Sequence, residues 1–253
     1  MLIWGLSALS VLLLLIAFVI YRNYKEKKRL NGVLEEKNVA LDKEQAVSNG
    51  LLLNILPAPI ALRLKQGEKV IVDMFKNTTV MFIDLAGFTK LSSRTKPDQL
   101  VAMLNSIFSE LDTLSEKYGV EKIKTIGDAY MVASGIPNTR ADHAEAAARM
   151  ALEAQRIVAK LRTPDGSPIE VRIGLASGEA IAGVIGTKKY IYDLWGDTVN
   201  TAARMESTGE TGKIQCTQSV YDILKATFTF QKRGEIEVKG KGTMTTYFLT
   251  GSV

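Results

Sequence analysis

The sequence predicts an α+β domain behind a helical N-terminal segment, and three observations carry that expectation. An uncharged apolar run occupies residues 2–21, and a polar, helix-favouring stretch follows over 22–68. From residue 69 to 253 apolar runs of strand length mix with stretches that are apolar every three or four residues. The expected organisation is therefore 1–21, 22–68 and 69–253.

In Leu2–Tyr21 (LIWGLSALSVLLLLIAFVIY), about 20 helical residues at ~1.5 Å each reach ~30 Å, the thickness of a bilayer's hydrocarbon core. No Lys or Arg precedes the run and no A-x-A site follows it, which favours a single membrane-spanning helix over a cleaved signal peptide. Arg22, Lys25, Lys27, Lys28 and Arg29 come next. By the positive-inside rule they hold that flank, and the domain after it, on the cytoplasmic side of a cell membrane. The same cluster accounts for much of the formal net charge of +5, so no nucleic-acid binding is expected. The single cysteine, Cys216, excludes an internal disulfide and reads as a small buried apolar side chain on a strand.

Leu30, Leu34, Leu41 and Leu51 lie near a heptad spacing that Lys37 and Glu44 interrupt, the pattern of a weak parallel coiled coil. Pro57 and Pro59 break that helix, and IALRLKQG (60–67) reads as a short helix stopped by Gly67. Beyond it TTVMFIDL (78–85) is a strand. Leu100, Leu104, Ile107, Phe108, Leu111 and Leu114 line one face of a helix that starts at Pro97. VEKIKTI (120–126) and AYMVAS (129–134) flank a Gly127-Asp128 turn, and residues 141–161 form an alanine-rich helix. IEVRIGLASG (169–178) and AIAGVIGT (180–187) are expected to pair as a second hairpin. A helix over 198–206 and short strands at 235–240 and 246–250 complete the chain. Strand-helix-strand-strand-helix-strand is the order of a ferredoxin-like core.

Asp84 ends an apolar strand, and the glycine in Leu85-Ala86-Gly87-Phe88-Thr89 lets backbone amides face a phosphate at a helix N-terminus. Asp128 lies at the tip of the next hairpin. With those strands adjacent, the two carboxylates project from one edge, and such hard oxygen ligands suit Mg²⁺ or Mn²⁺ carrying substrate phosphates. Taken singly, each aspartate reads as a turn or cap residue.

The surrounding words are more specific. FIDLAGFTKLS, EKIKTIGDAYMVASGIP, YDLWGDTVNTAARMES and EVKGKG, in this order, resemble the class III nucleotidyl cyclases over about residues 78–249. The resemblance implies that Asp84, Asp128 and the Leu85 backbone hold two divalent cations, Mg²⁺ or Mn²⁺, while Leu85, Gly87, Phe88 and Thr89 cradle the phosphates. It implies that Arg204 stabilises charge on the α-phosphate, that Asn200 orients the ribose and that Lys239 binds the triphosphate. Lys124 and Asp193 stand where the family's adenylyl members carry their base-selecting pair. Lys124 donates to adenine N1 and Asp193 accepts from the 6-amino group, the reverse of what guanine presents. The expected activity is thus an adenylate cyclase, a phosphorus-oxygen lyase making cyclic AMP from ATP.

Family members pair head to tail, with the metal acids of one chain facing the other set of residues in its partner. This chain has both sets, which implies a homodimer with two shared sites. Two other readings stay open: a guanylyl or dual-specificity cyclase, and a catalytically silent nucleotide-binding module. Leu194 and Trp195 could wall the base or belong to the core. His143, the only histidine, lies on the alanine-rich helix away from every motif, and no dedicated general base is expected.

Overall fold

The computed structural model describes residues 2–186 and 188–253, with side chains from residue 12 onward. The chain divides into two units, 1–54 and 55–253. The first is α1, Leu2–Leu53, which runs past the expected boundary at residues 21 and 22 without a break. Leu30, Leu34, Leu41 and Leu51 are exposed along it. Among the described residues no helix is long and apolar enough to cross a membrane. The side chains of residues 2–11, half of the expected span, lie outside the described residues.

The second unit begins before residue 69. α2, Ala58–Lys65, follows Pro57, and Leu56, Ile60 and Ala61 are buried. Arg63 ties α2 to the start of the first strand through Asp73, at 2.5 Å. Gly67, with φ 85°, ends the turn as expected.

The strands are β1 (Val72–Leu85), β2 (Glu121–Ile126), β3 (Ala129–Ser134), β4 (Val171–Ile185), β5 (Ile191–Trp195), β6 (Ile214–Thr217), β7 (Phe228–Val238) and β8 (Gly242–Ser252). Between them lie α3 (Phe88–Ser92), α4 (Pro97–Tyr118), α5 (His143–Val158), α6 (Asp197–Ser207) and α7 (Gln218–Leu224). The sheet order is β2-β3-β1-β4-β6-β8-β7, with β5 paired to β4. Its first four strands are antiparallel neighbours connected as β1-α4-β2-β3-α5-β4, the expected βαββαβ core. β6 then adds in parallel to β4, which makes the sheet mixed.

α4 has proline in its first turn, Asp98 near its N-terminus and Gly119 in the left-handed conformation just past its end, so both ends are specified locally. Its expected stripe is the buried face: Ile107, Leu111 and Leu114 lie in the core, with Leu100, Leu104 and Phe108 packed against it. The alanines of α5 are buried too and let that helix lie close to the sheet. Met81, Ile83 and Leu85 of β1 and Val171, Ile173 and Leu175 of β4 meet α4, α5 and α7 in one cluster. Because side chains alternate along a strand, Asp84, Arg172 and Gly174 face the other side, toward α6.

One expected hairpin is wrong. Residues 171–185 form a single strand, β4, paired with β1 along both halves, and Thr187 lies outside the described residues. Gly178 does not turn the chain; it lies opposite Thr78, where a Cβ would stand 2.6 Å from Thr198 Oγ1. The glycine admits α6 to the sheet. On its other edge the second half of β4 pairs with β5, inside the YDLW motif.

Candidate active site

Asp84 sits in register with Arg172 on β4, and Arg172 Nη2 donates to Asp84 Oδ2 at 2.6 Å. Arg172 Nε donates to Glu206 Oε1 at 3.1 Å, so one guanidinium bridges β1 to the last turn of α6. Asp128 occupies the β2–β3 turn, which Gly127 makes possible at φ 63°. Burial raises the Asp128 carboxyl above its ordinary value, and the neighbouring Asp84 charge raises it further. Burial likewise pushes Glu206 up to about 7, with Asp84 adding to the rise and Arg172 opposing it.

Two carboxylates, Asp84 and Glu206, thus share one guanidinium, and Asp128 lies beside Asp84. Carboxylates that repel one another at a hairpin edge, with only hard oxygen donors present, are chemically suited to a divalent cation. Among the described residues no group of three or more His, Cys, Asp and Glu side chains could hold a metal ion alone. A cation at Asp84 and Asp128 would take its remaining ligands from backbone, water or substrate phosphate, the usual habit of Mg²⁺. Leu85 can offer only its backbone, since its side chain is in the core.

Gly87 takes φ 74° and turns the chain from β1 into α3. Ala86 N donates to Glu170, and Lys90 and Leu91 donate back to Gly87. The amides of Gly87, Phe88 and Thr89 make no backbone hydrogen bond among the described residues. They are the donors that the sequence assigns to phosphate.

Lys124 and Asp193 meet: Lys124 Nζ donates to Asp193 Oδ2 at 2.5 Å. Asp193 Oδ1 accepts from the Leu194 amide at 2.8 Å, which fixes the carboxylate's orientation. Leu194 belongs to the core and Trp195 is exposed beside the pair.

Asn200 and Arg204 are exposed on one side of α6, while Thr198, Thr201, Ala202 and Met205 are buried on the other. Lys239 is exposed just past the end of β7. Among the described residues the side chains of Asn200, Arg204 and Lys239 have no hydrogen bond or ion pair within the chain. Lys241, by contrast, pairs with Asp197. The single chain therefore assembles the two acids and the Lys124–Asp193 pair, and leaves the other three side chains facing outward.

Sequence reasoning missed Arg172 and Glu206. A signal was present: on β4 the core-facing residues Val171, Ile173 and Leu175 alternate with Arg172 and the small Gly174, Ala176 and Gly178. Small residues on one strand face announce a closely packed helix, and an arginine among them needs an acidic partner. His143 is buried, and its Nδ1 lies 2.8 Å from Thr79 Oγ1; burial lowers its pKa, with Asp142 opposing. Cys216 is fully buried, its thiol pushed up to about 12 by burial.

Residues 70–251 match the adenylate and guanylate cyclase catalytic domain family. An adenylate cyclase of Mycobacterium tuberculosis is 46% identical over 212 residues, covering 83% of this chain and 48% of that protein. The human guanylate cyclase soluble subunit beta-2 is 43% identical over 230 residues, 90% of this chain and 37% of its own length. The guanylate cyclase domain of RhGC from Catenaria anguillulae, solved in complex with GTP, superposes with a TM-score of 0.70 at 41% identity, over 72% of this chain and all of that domain. The chain spans about half the length of the mycobacterial relative or less. With the fold, the paired aspartates and the motif order all in agreement, the chain belongs to the class III adenylyl and guanylyl cyclases, whose catalytic domains bind nucleotides, generally depend on divalent metal and work as dimers.

Proposed function

We propose that this chain is an adenylate cyclase that converts ATP to 3′,5′-cyclic AMP and pyrophosphate at sites shared by two copies. The observation that carries the choice of base is the Lys124–Asp193 pair: a donor and an acceptor side by side at 2.5 Å. Adenine offers N1 to Lys124 and its 6-amino group to Asp193; guanine offers a donor and an acceptor in the opposite places. A buried mismatch costs a few kcal/mol, roughly a hundredfold or more in discrimination.

In the reaction the ribose 3′-oxygen attacks the α-phosphorus, the bond to the β-phosphate breaks, and the 3′-hydroxyl proton passes to water or substrate phosphate. Cations held by Asp84, Asp128 and the Leu85 backbone would lower the pKa of that hydroxyl and neutralise the triphosphate. Arg204 stabilises charge on the α-phosphate oxygens and Asn200 fixes the ribose, effects that fall on turnover more than on affinity. Lys239 and the amides of Gly87, Phe88 and Thr89 bind the phosphate chain. That the side chains of Asn200, Arg204 and Lys239 are unpaired among the described residues supports a site completed by a second copy, in which Asp84 and Asp128 face these residues of the partner.

The uncharged run of residues 2–21 and the basic cluster after it support a single-pass anchor in the cell membrane with the domain on the cytoplasmic side. The guanylate cyclases among the relatives favour one other reading, a guanylyl or dual-specificity enzyme. The deciding measurement incubates the purified domain with ATP or GTP plus Mg²⁺ or Mn²⁺ and identifies any cyclic product. Cyclic AMP is expected, and Lys124→Glu should lower it. Cyclic GMP alone, or no cyclic product under any condition, overturns the proposal.

A further inference from the structure

Glu206 is the one acid at the site to which neither the motifs nor the proposed reaction gives a role. Its side chain is only 12% exposed on the last turn of α6, where Oε1 takes the Nε hydrogen of Arg172 at 3.1 Å. The other end of the same guanidinium holds Asp84 at 2.6 Å. Gly174 fixes this approach in the backbone, because a Cβ there would stand 2.0 Å from the Glu206 amide nitrogen. The end of α6 rests directly on β4 beside Arg172. Asp84 alone would neutralise Arg172, so a second half-buried acid on that guanidinium adds unfavourable charge unless it serves another purpose.

We infer that Glu206 is a positioning residue that holds Arg172 in place when Asp84 turns to a divalent cation. The inference rests on Asp84 being a cation ligand. Arg172 Nη2 occupies one lone-pair direction of Asp84 Oδ2, so a cation that draws on both carboxylate oxygens competes with it, and without Glu206 that competition would leave a half-buried guanidinium short of an acceptor. Glu206 supplies that acceptor: the Nε side keeps a charge-assisted hydrogen bond while the Nη2 side gives Asp84 up. Freeing the metal ligand then exchanges one contact instead of stranding a charge. Since Glu206 lies on the helix that carries Asn200 and Arg204, the same contact links the position of that helix to the state of Asp84. In a shared-site dimer those groups belong to different sites.

The test is Mn²⁺ binding to the full chain without nucleotide, measured by calorimetry. Glu206→Gln should weaken binding roughly tenfold, and Glu206→Asp, which keeps the charge but shortens the reach, should weaken it about as much. Both effects should disappear in an Arg172→Gln background. If Glu206→Asp binds Mn²⁺ as the parent chain does, or if Glu206→Gln acts equally with and without Arg172, Glu206 works through its charge alone and the inference is overturned. Where Glu206→Gln does not fold, Glu206→Asp decides. Asp84→Ala separates the two levels: if it binds Mn²⁺ like the parent, the metal reading of Asp84 itself fails.

Discussion

At the proposed metal end of the site Asp84 and Glu206 share a single guanidinium with Asp128 close beside Asp84, whereas at the proposed base end one carboxylate meets one ammonium. The first end carries excess negative charge, and burial with mutual repulsion raises both Asp128 and Glu206. The second is neutral as a pair and satisfied within the chain. A polyanionic end is suited to a cation and a neutral donor–acceptor pair to a base edge, so under the proposed function catalysis and selection are separated in charge as well as in place.

The sharpest way to break this contrast is to remove one member of each half-site. Asp84→Ala and Arg204→Ala should each lower cyclic nucleotide formation by about a hundredfold to a thousandfold. Mixed under conditions that allow exchange, they should recover about a quarter of the parent rate, because half of the dimers then carry one intact site. No recovery would mean that each chain holds a whole site. The next largest effect is expected at the neutral end. Lys124→Glu combined with Asp193→Cys should shift the ATP to GTP preference by roughly a hundredfold, read as the ratio of the two kcat/KM values. Cation dependence should stay unchanged, and a large change in it would merge the two ends.

Gly174→Ala sharpens the picture at the metal end. Its Cβ would collide with the backbone of α6, so thermal unfolding should report a loss of about 1–3 kcal/mol and turnover should fall with it. Wild-type stability with normal turnover would show that α6 is free to shift. The smallest effect comes from His143, which belongs to neither end. Its pKa lies below the ordinary 6.5 in the folded chain because of burial, so the unfolded chain binds the extra proton first as pH drops. That contribution to stability is complete above 6.5 and is lost as pH falls from there through the folded value. In His143→Gln the slope in that window should flatten, as measured by thermal melts across pH.

Much of this was legible from residue pattern. The α4 stripe, the Gly127-Asp128 hairpin and the strand ending at Asp84 follow from periodicity and turn chemistry, which act over a few residues. β4 did not, because Ser177-Gly178 has the composition of a turn while its role depends on a helix about twenty residues later in the chain. The bridge from Asp84 through Arg172 to Glu206 joins three elements distant in sequence, and only the packing of α6 on β4 brings them together. The Lys124–Asp193 pair was recognisable from motif position, yet its closure within one chain depends on β5, a strand hidden inside the YDLW motif.

That closure has a kinetic side. Under the proposed function, a purine arriving between Lys124 and Asp193 would find the two groups already engaged, so recognition would be a substitution reaction in which an existing ionic contact opens before a new pair of hydrogen bonds forms. A base with complementary edges takes over both partners at once. A base with the wrong edges would leave the pair free to close again, so under that proposal the dissociation rate is where selectivity is expected to be read.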